Sequence, residues 1–207
     1  MEDVLDVYER PYNPNIPQVC VDERPCTLLK DVYLPLPIKV GTRKRRIDYE
    51  YARQGTCSAF MIFEPHARFR QVEVRKQRTN QDFAHILKYI SDELYPEAKK
   101  ICLVLDNLNT HTPAVLYQTF SADEAHRLKN RFEFHYTPVH ASWLNMVEIE
   151  ISVWSRQCLR RRIDTMEKLA QEAKAWATDR NAQKLGVDWR FTARDARVKL
   201  ERLYNFN

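Results

Sequence analysis

Apolar positions along the chain change rhythm several times, and each change marks an element. Residues 10–17 (RPYNPNIP) carry three prolines and two asparagines and read as extended. Val19, Cys20 and Val21 form a short apolar run that enters Asp22 and Glu23, as expected of a buried strand. Residues 23–46 contain Pro25, Pro35, Pro37 and Gly41, which predicts a long excursion of loop character. Residues 47–52, 56–63 and 68–75 are β-rich, with EPHA as a hairpin turn between the last two. Phe83, Ile86, Leu87, Ile90 and Leu94 make a helical stripe that ends near Pro96.

Ile101 to Leu105 is continuously apolar, the signature of a strand covered on both faces, and it stops at Asp106. A helix is expected after Pro113, and a second from Ser121, spaced with Glu124 as a capping box. Residues 132–137 (FEFHYT) alternate as a strand. Leu144, Val147, Ile151, Trp154 and Cys158 recur at steps of three and four, an amphipathic helix, and residues 165–183 and 192–204 also read as helical. A β-meander followed by strand–helix–strand units predicts an α/β fold, a mixed sheet with helices on its faces. The division expected is an extended lead-in over 1–17, a core over 18–163 and a helical C-terminal extension over 164–207.

Composition narrows the class. The chain has 207 residues, 44% of them hydrophobic and 11% aromatic, enough for a packed α/β domain and against general disorder. No apolar run has the length of a bilayer span, and the acidic, polar first residues do not resemble a secretion signal. Five scattered cysteines without a CxxC pair argue against a disulfide framework or structural zinc, and Cys20, Cys102 and Cys158 sit in apolar stretches as core residues. A reducing, cytoplasmic setting is the expectation.

The net charge of +5 is modest, so clustering carries more than the total. Arg43, Lys44, Arg45 and Arg46 form one block, Arg160, Arg161 and Arg162 a second, and Arg68, Arg70, Arg75, Lys76 and Arg78 a third. Such blocks suit phosphate contacts, although basic runs are commonly just solvated. Arg160 to Arg162 also follow a helix, whose C-terminal dipole favours cations.

Asp22 and Asp106 both stand where an apolar run gives out, the place from which open α/β sheets reach their ligands. Acidic residues there are equally turn formers. Glu148 lies about 80° from the centre of its helix's apolar stripe, at the stripe's edge, which suits a carboxylate beside a cleft or, equally, ordinary helix surface charge. Glu150 lies at the opposite edge, and the helical wheel does not choose between them.

The stretches CVDE (20–23), LVLDNLNTHTP (103–113), HYTPVHASWLNMVEIEISVWSRQCL (135–159) and WRFTARDARVKLERLY (189–204) resemble, in order, transposases of bacterial insertion sequences related to mariner elements, the six-thirty type. The resemblance implies a ribonuclease H-like fold with two aspartates and a glutamate. Asp22 matches the first acid, Asp106 the acid before Asn, and Glu148 the acid of the LN-x-x-E pattern, which Glu150 falls outside. Asn107 and His111 match a DN-x-x-TH pattern and Asn145 the LN of the third stretch, as possible supporting residues. Asn107 has turn-shaping, and His111 helix-capping, as the bland alternative. His135 reads as a strand residue, Trp143 and Trp154 as packing residues.

Two features depart from the family pattern. Forty-one residues separate Asp106 from Glu148, longer than mariner relatives have, with the surplus around Ser121 to Arg131. No helix-turn-helix module precedes Asp22, so a catalytic fragment or truncated product is expected. The resemblance further implies two Mg²⁺ ions on Asp22, Asp106 and Glu148, with Asp22 bridging and Mn²⁺ able to substitute. It implies DNA as partner, cleavage and strand transfer in cut-and-paste transposition, a homodimer that handles both element ends, and a nucleoid-associated place in a bacterial cytoplasm. Two rivals are another ribonuclease H-like nuclease, and a non-catalytic DNA-binding partner of a full-length transposase.

Overall fold

The structure, a computed structural model, describes residues 1–33, 48–108 and 111–203. The strands are β1 (Gln18–Asp31), β2 (Tyr51–Glu64), β3 (Phe69–Arg75), β4 (Ile101–Leu105) and β5 (Phe132–Tyr136). The helices are α1 (Glu2–Glu9), α2 (Asn80–Tyr89, continued by a π-helical turn over Ile90–Leu94), α3 (Ala114–Thr119), α4 (Ala122–Arg131), α5 (Val147–Gln157), α6 (Met166–Ala182) and α7 (Ala193–Lys199). The sheet order is β3-β2-β1-β4-β5, with β1–β2–β3 antiparallel and β1, β4 and β5 parallel. The mixed sheet with helices on both faces agrees with the pattern in the sequence.

Side-chain alternation divides the core in two. Cys20, Met61, Phe63, Cys102 and Val104 face α1, α5, α6 and α7, while Val19, Val21, Phe60, Ile62, Leu103 and Leu105 face α2, α3 and α4. β4 is buried at all five positions, as its unbroken apolar run requires.

Several boundaries differ from expectation. The lead-in is not extended throughout, because residues 2–9 form α1, whose Val4, Leu5, Val7 and Tyr8 are buried. The excursion expected from residue 23 begins only after Asp31. β1 pairs with β4 only as far as Cys20↔Val104, but with β2 out to Asp31↔Tyr51. Beyond Cys20 one side of β1 is therefore an edge, where Pro25 costs no ladder bond to β4. The β-rich stretches expected at 47–52 and 56–63 are joined in one strand, β2, interrupted by a register shift opposite Leu28/Leu29, where Gly55 adopts φ 112°. The third basic block does not lie wholly at the surface, since Arg70 faces inward and is fully buried. The Ser121 hydroxyl caps α4 by accepting from the Glu124 N–H at 3.4 Å, while the Glu124 carboxylate binds Lys88 and Arg127.

Gly55 has no heavy atom within 4 Å of an added Cβ, so Gly55→Ala tests backbone strain alone. A φ of 112° is essentially closed to residues with a Cβ, and the substitution is expected to cost about 1–3 kcal/mol in a urea titration.

Candidate active site

The register of the two central parallel strands builds the site. The last rung joins Cys20 to Val104; Asp22 stands two residues beyond it within β1, and Asp106 two residues beyond it, just past the end of β4. Asp22 shares its parity with Cys20 and so faces α5. The Asp22 side chain is buried (7% exposed), with its Oδ1 accepting from the Glu23 N–H at 2.7 Å. Burial in this crevice, reinforced by the carboxylates of Asp106 and then Glu148, pushes the Asp22 carboxyl up to about 7. Both of the other acids singled out in the sequence therefore lie near enough to Asp22 to be felt there. Their oxygens are not drawn within 4.8 Å as a single set; among the described residues, that spacing is met by Cys102, Glu133 and His135.

Glu148 sits in the first turn of α5, and the approach to that turn is held firmly. Asn145, fully buried, donates through Nδ2 to the Val21 carbonyl at 3.0 Å, and its own carbonyl accepts from the Glu148 N–H at 3.0 Å. Tyr8 of α1 donates to the Leu144 carbonyl at 2.8 Å and accepts from the Met146 N–H at 3.3 Å. The amide of Asn145 thus ties the strand that carries Asp22 to the helix that carries Glu148.

Glu23 has the opposite parity to Asp22 and enters the other face of the sheet. There its Oε1 accepts from His111 Nε2 at 2.8 Å, while His111 Nδ1 donates to Asp106. His111 is fully buried and packs on Phe83, with ring centroids 4.5 Å apart. Burial opposes the imidazolium, but the hydrogen bonds to Asp106 and Glu23 override it and push His111 up to about 10. His111 is thus neither a helix cap nor a loose surface ligand. It is a buried cation that fixes one oxygen of Asp106, and its second partner, Glu23, was not singled out by the sequence pattern.

Glu150 has an unrelated fate. It is fully buried between two arginines, with Arg70 Nε 3.1 Å from Oε2 and Arg180 Nη2 3.0 Å from Oε1. The Arg70 contact lacks hydrogen-bond alignment, so it is an ion contact, whereas Arg180 also donates through Nε at 3.3 Å. A carboxylate neutralised on both sides is no candidate for binding an exchangeable ion.

Asn107 is exposed and, with Asp106, Leu108, Thr137, Val139, His140 and Ser142, lines a cavity of about 320 Å³ beside Asp106. Trp143, expected to pack, is 47% exposed and meets Phe191 edge-on, whereas Trp154 is buried on the α5 stripe as expected. Arg160 is exposed, and Arg161 pairs with Glu172. Arg162 is turned inward, donating to Asp31 at 2.7 Å and to the carbonyls of Glu50 and Asp48 at 2.8 and 2.6 Å. Its guanidinium closes the β1–β2 ribbon and is not free for phosphate. Arg43, Lys44, Arg45 and Arg46 lie outside the described residues.

Sheet order, strand directions and acids at the ends of the central strands define a ribonuclease H-like fold. The Mos1 strand transfer complex matches with a TM-score of 0.58 at 13% identity, over 87% of this chain and 54% of that one. The Mos1 mariner paired end complex with Mn gives 0.55 at 12% identity over 87% and 54%, and a pre-cleavage Mos1 transpososome 0.55 at 12% over 90% and 60%. The chain thus spans about half the length of the transposase chains it matches. No curated protein sequence matches it. The DDE superfamily endonuclease model matches residues 17–170, and the chain belongs to that family. No helix among the described residues is long and apolar enough to cross a membrane.

The two glutamates of α5 are separable by experiment. Glu150→Gln strands the charges of Arg70 and Arg180 and is expected to cost about 3–5 kcal/mol in denaturant unfolding. Glu148→Gln removes a like charge near Asp22 and is expected to leave stability equal or slightly higher.

The pH dependence follows from Asp22. Its folded pKa of about 7 exceeds the unfolded value near 3.9, so the folded state binds the proton more tightly. The Asp22 contribution is fully present below about pH 4 and is lost as the pH rises through about 7. In chelator, thermal melting scanned from about pH 5 to about pH 7 is expected to show this decline. Asp22→Asn should flatten it.

Proposed function

We propose that this chain is the catalytic domain of a DNA transposase, with Asp22, Asp106 and Glu148 as ligands for two divalent ions. The observation that carries the reading is the buried Asp22 with Asp106 and Glu148 beside it, its carboxyl pushed up first by burial and then by the charges of those two acids. Oxygen-only donors of this kind fit hard Mg²⁺, with Mn²⁺ as substitute. When bound, such ions activate the attacking oxygen and stabilise the charge on phosphate and leaving group.

The chain's own residues hold the arrangement. The Glu23 N–H orients Asp22, His111 holds one oxygen of Asp106, and Asn145 positions the turn before Glu148. The cavity bounded by Asn107, His140 and Ser142 receives the nucleotide next to the scissile phosphate. Exposed Arg160 and the basic block Arg43 to Arg46 contact the DNA backbone. By analogy with neighbours described as strand transfer and paired-end complexes, the substrates are element ends and target DNA, and the working form is a homodimer. A cytoplasmic, nucleoid-associated location in a bacterium completes the reading.

Asp106→Asn is expected to abolish Mg²⁺-dependent nicking of an element-end duplex while cooperative thermal unfolding is kept. Equal nicking by mutant and parent removes the proposal. Glu23→Gln, which weakens the hold on His111, is expected to raise the Mg²⁺ concentration for half-maximal nicking about 10- to 100-fold. With a pre-cut end, joining to target DNA supports transposition. Cleavage confined to RNA–DNA hybrid supports a different nuclease, and salt-sensitive DNA binding without any cutting supports a binding partner.

A further inference from the structure

At the opposite end of β4 from Asp106 lies a second group of metal-ligating side chains that the reaction does not use. Cys102 and Glu133 are directly opposed on the parallel strands β4 and β5, and His135 follows two residues on, so all three share the face covered by α1. The Cys102 thiol, the Glu133 carboxylate and the His135 imidazole lie within 4.8 Å of one another. Cys102 stands four positions before Asp106 along the line of β4, roughly 13 Å away.

We propose that Cys102, Glu133 and His135 form a site for a borderline divalent cation of the Zn²⁺ class, distinct from the carboxylate site for hard ions. The donor set is one sulfur, one imidazole nitrogen and one carboxylate oxygen, a combination suited to zinc and poor for Mg²⁺. Three side chains leave a fourth position, and beside Cys102 and Glu133 opens a cavity of about 260 Å³, lined also by Arg10, Asn13 and Gln18.

Two further contacts point the same way. His135 Nδ1 hydrogen-bonds the Asp3 carboxylate at 2.8 Å, which turns Nε2 toward Glu133 Oε1, 2.9 Å away. A carboxylate behind a ligating histidine fixes its tautomer and raises its basicity. Arg10 Nη1 lies 3.0 Å from Glu133 Oε1 and 3.7 Å from Cys102 Sγ, a positive charge where the ion would stand. Its side chain is 43% exposed and is free to withdraw into solvent. Arg10 therefore stands in for the cation and competes with it. Binding exchanges the Cys102 S–H bond for a metal–thiolate bond, and the proton goes to solvent. The bound ion joins β4 and β5 and, through Asp3, pins α1, the helix whose Tyr8 braces the turn before Glu148.

The inference stands independently of the transposase reading, and its test needs no DNA. The 207-residue chain, stripped with chelator and held in excess Mg²⁺, is titrated with Co²⁺. The expected result is uptake of one ion with a thiolate-to-cobalt charge-transfer band in the near ultraviolet, displaced by Zn²⁺. Cys102→Ser, nearly isosteric, should erase the band, and Asp3→Asn, a change at an exposed position, should weaken binding about 10- to 100-fold. Arg10→Ala should tighten it, and Asp106→Asn should change neither spectrum nor affinity. No charge-transfer band in the parent protein, or a band that survives Cys102→Ser, overturns the proposal.

Discussion

Carboxylates brought together in a crevice of low dielectric repel one another and resent the loss of water, and here the sheet leaves them no choice. Once Cys20 is paired with Val104, the backbones that carry Asp22 and Asp106 emerge side by side. The cost appears as the raised Asp22 carboxyl, whose dominant influences are burial and neighbouring acids. Holding carboxylates against that repulsion requires a firm framework. The surrounding structure is accordingly rigid: β4 is buried along its whole length, β1 is a central strand, and the turn before α5 is tied to both β1 and α1.

Elsewhere the protein treats buried acids differently. Glu150 lies between Arg70 and Arg180, so its charge is cancelled permanently by parts of the chain. Asp106 has a partial version of the same treatment, with one oxygen held by an imidazolium whose other nitrogen serves Glu23. Asp22 has one backbone N–H. The gradation from a fully neutralised to a nearly uncompensated carboxylate runs across a single helix and two strands. It separates acids whose charge the chain cancels from acids whose charge it leaves standing.

Much of this was legible in the residues because the relevant signals were local. The continuous apolar run of β4, the stripe of α5 and the alternation of β5 each specify an element within a few residues. What stayed hidden depended on long-range partners. The length of β1 was masked by Pro25, which reads as a breaker until an unpaired edge is known to lie beside it. The helical wheel left Glu148 and Glu150 equivalent, although a signal existed: Arg70 alternates in phase with Val72 and Val74, and a buried guanidinium demands a buried acid. Family likeness favoured Glu148, and the ion triad gives the physical reason why Glu150 is otherwise engaged. Glu23 was overlooked because strand parity sends it away from Asp22. Its importance emerges only when His111, 88 residues later, is found beneath it.

Parity also explains how adjacent acids serve opposite faces without interfering. Asp22 points toward α5 and the crevice, while Glu23 points into the layer of α2 and α3, where it holds His111 against Phe83. The sheet between them is a single backbone thick, so His111 reaches past the end of β4 to touch Asp106 from the far side. A displacement of α2 or α3 would therefore be felt at Asp106 through one histidine, and a displacement of α1 at Glu148 through Tyr8. Among the described residues the two helical layers share no apolar core, yet one holds Asp106 and the other the turn before Glu148. The sheet between them sets their relative position, so the register of β1 and β4 governs the spacing of these acids.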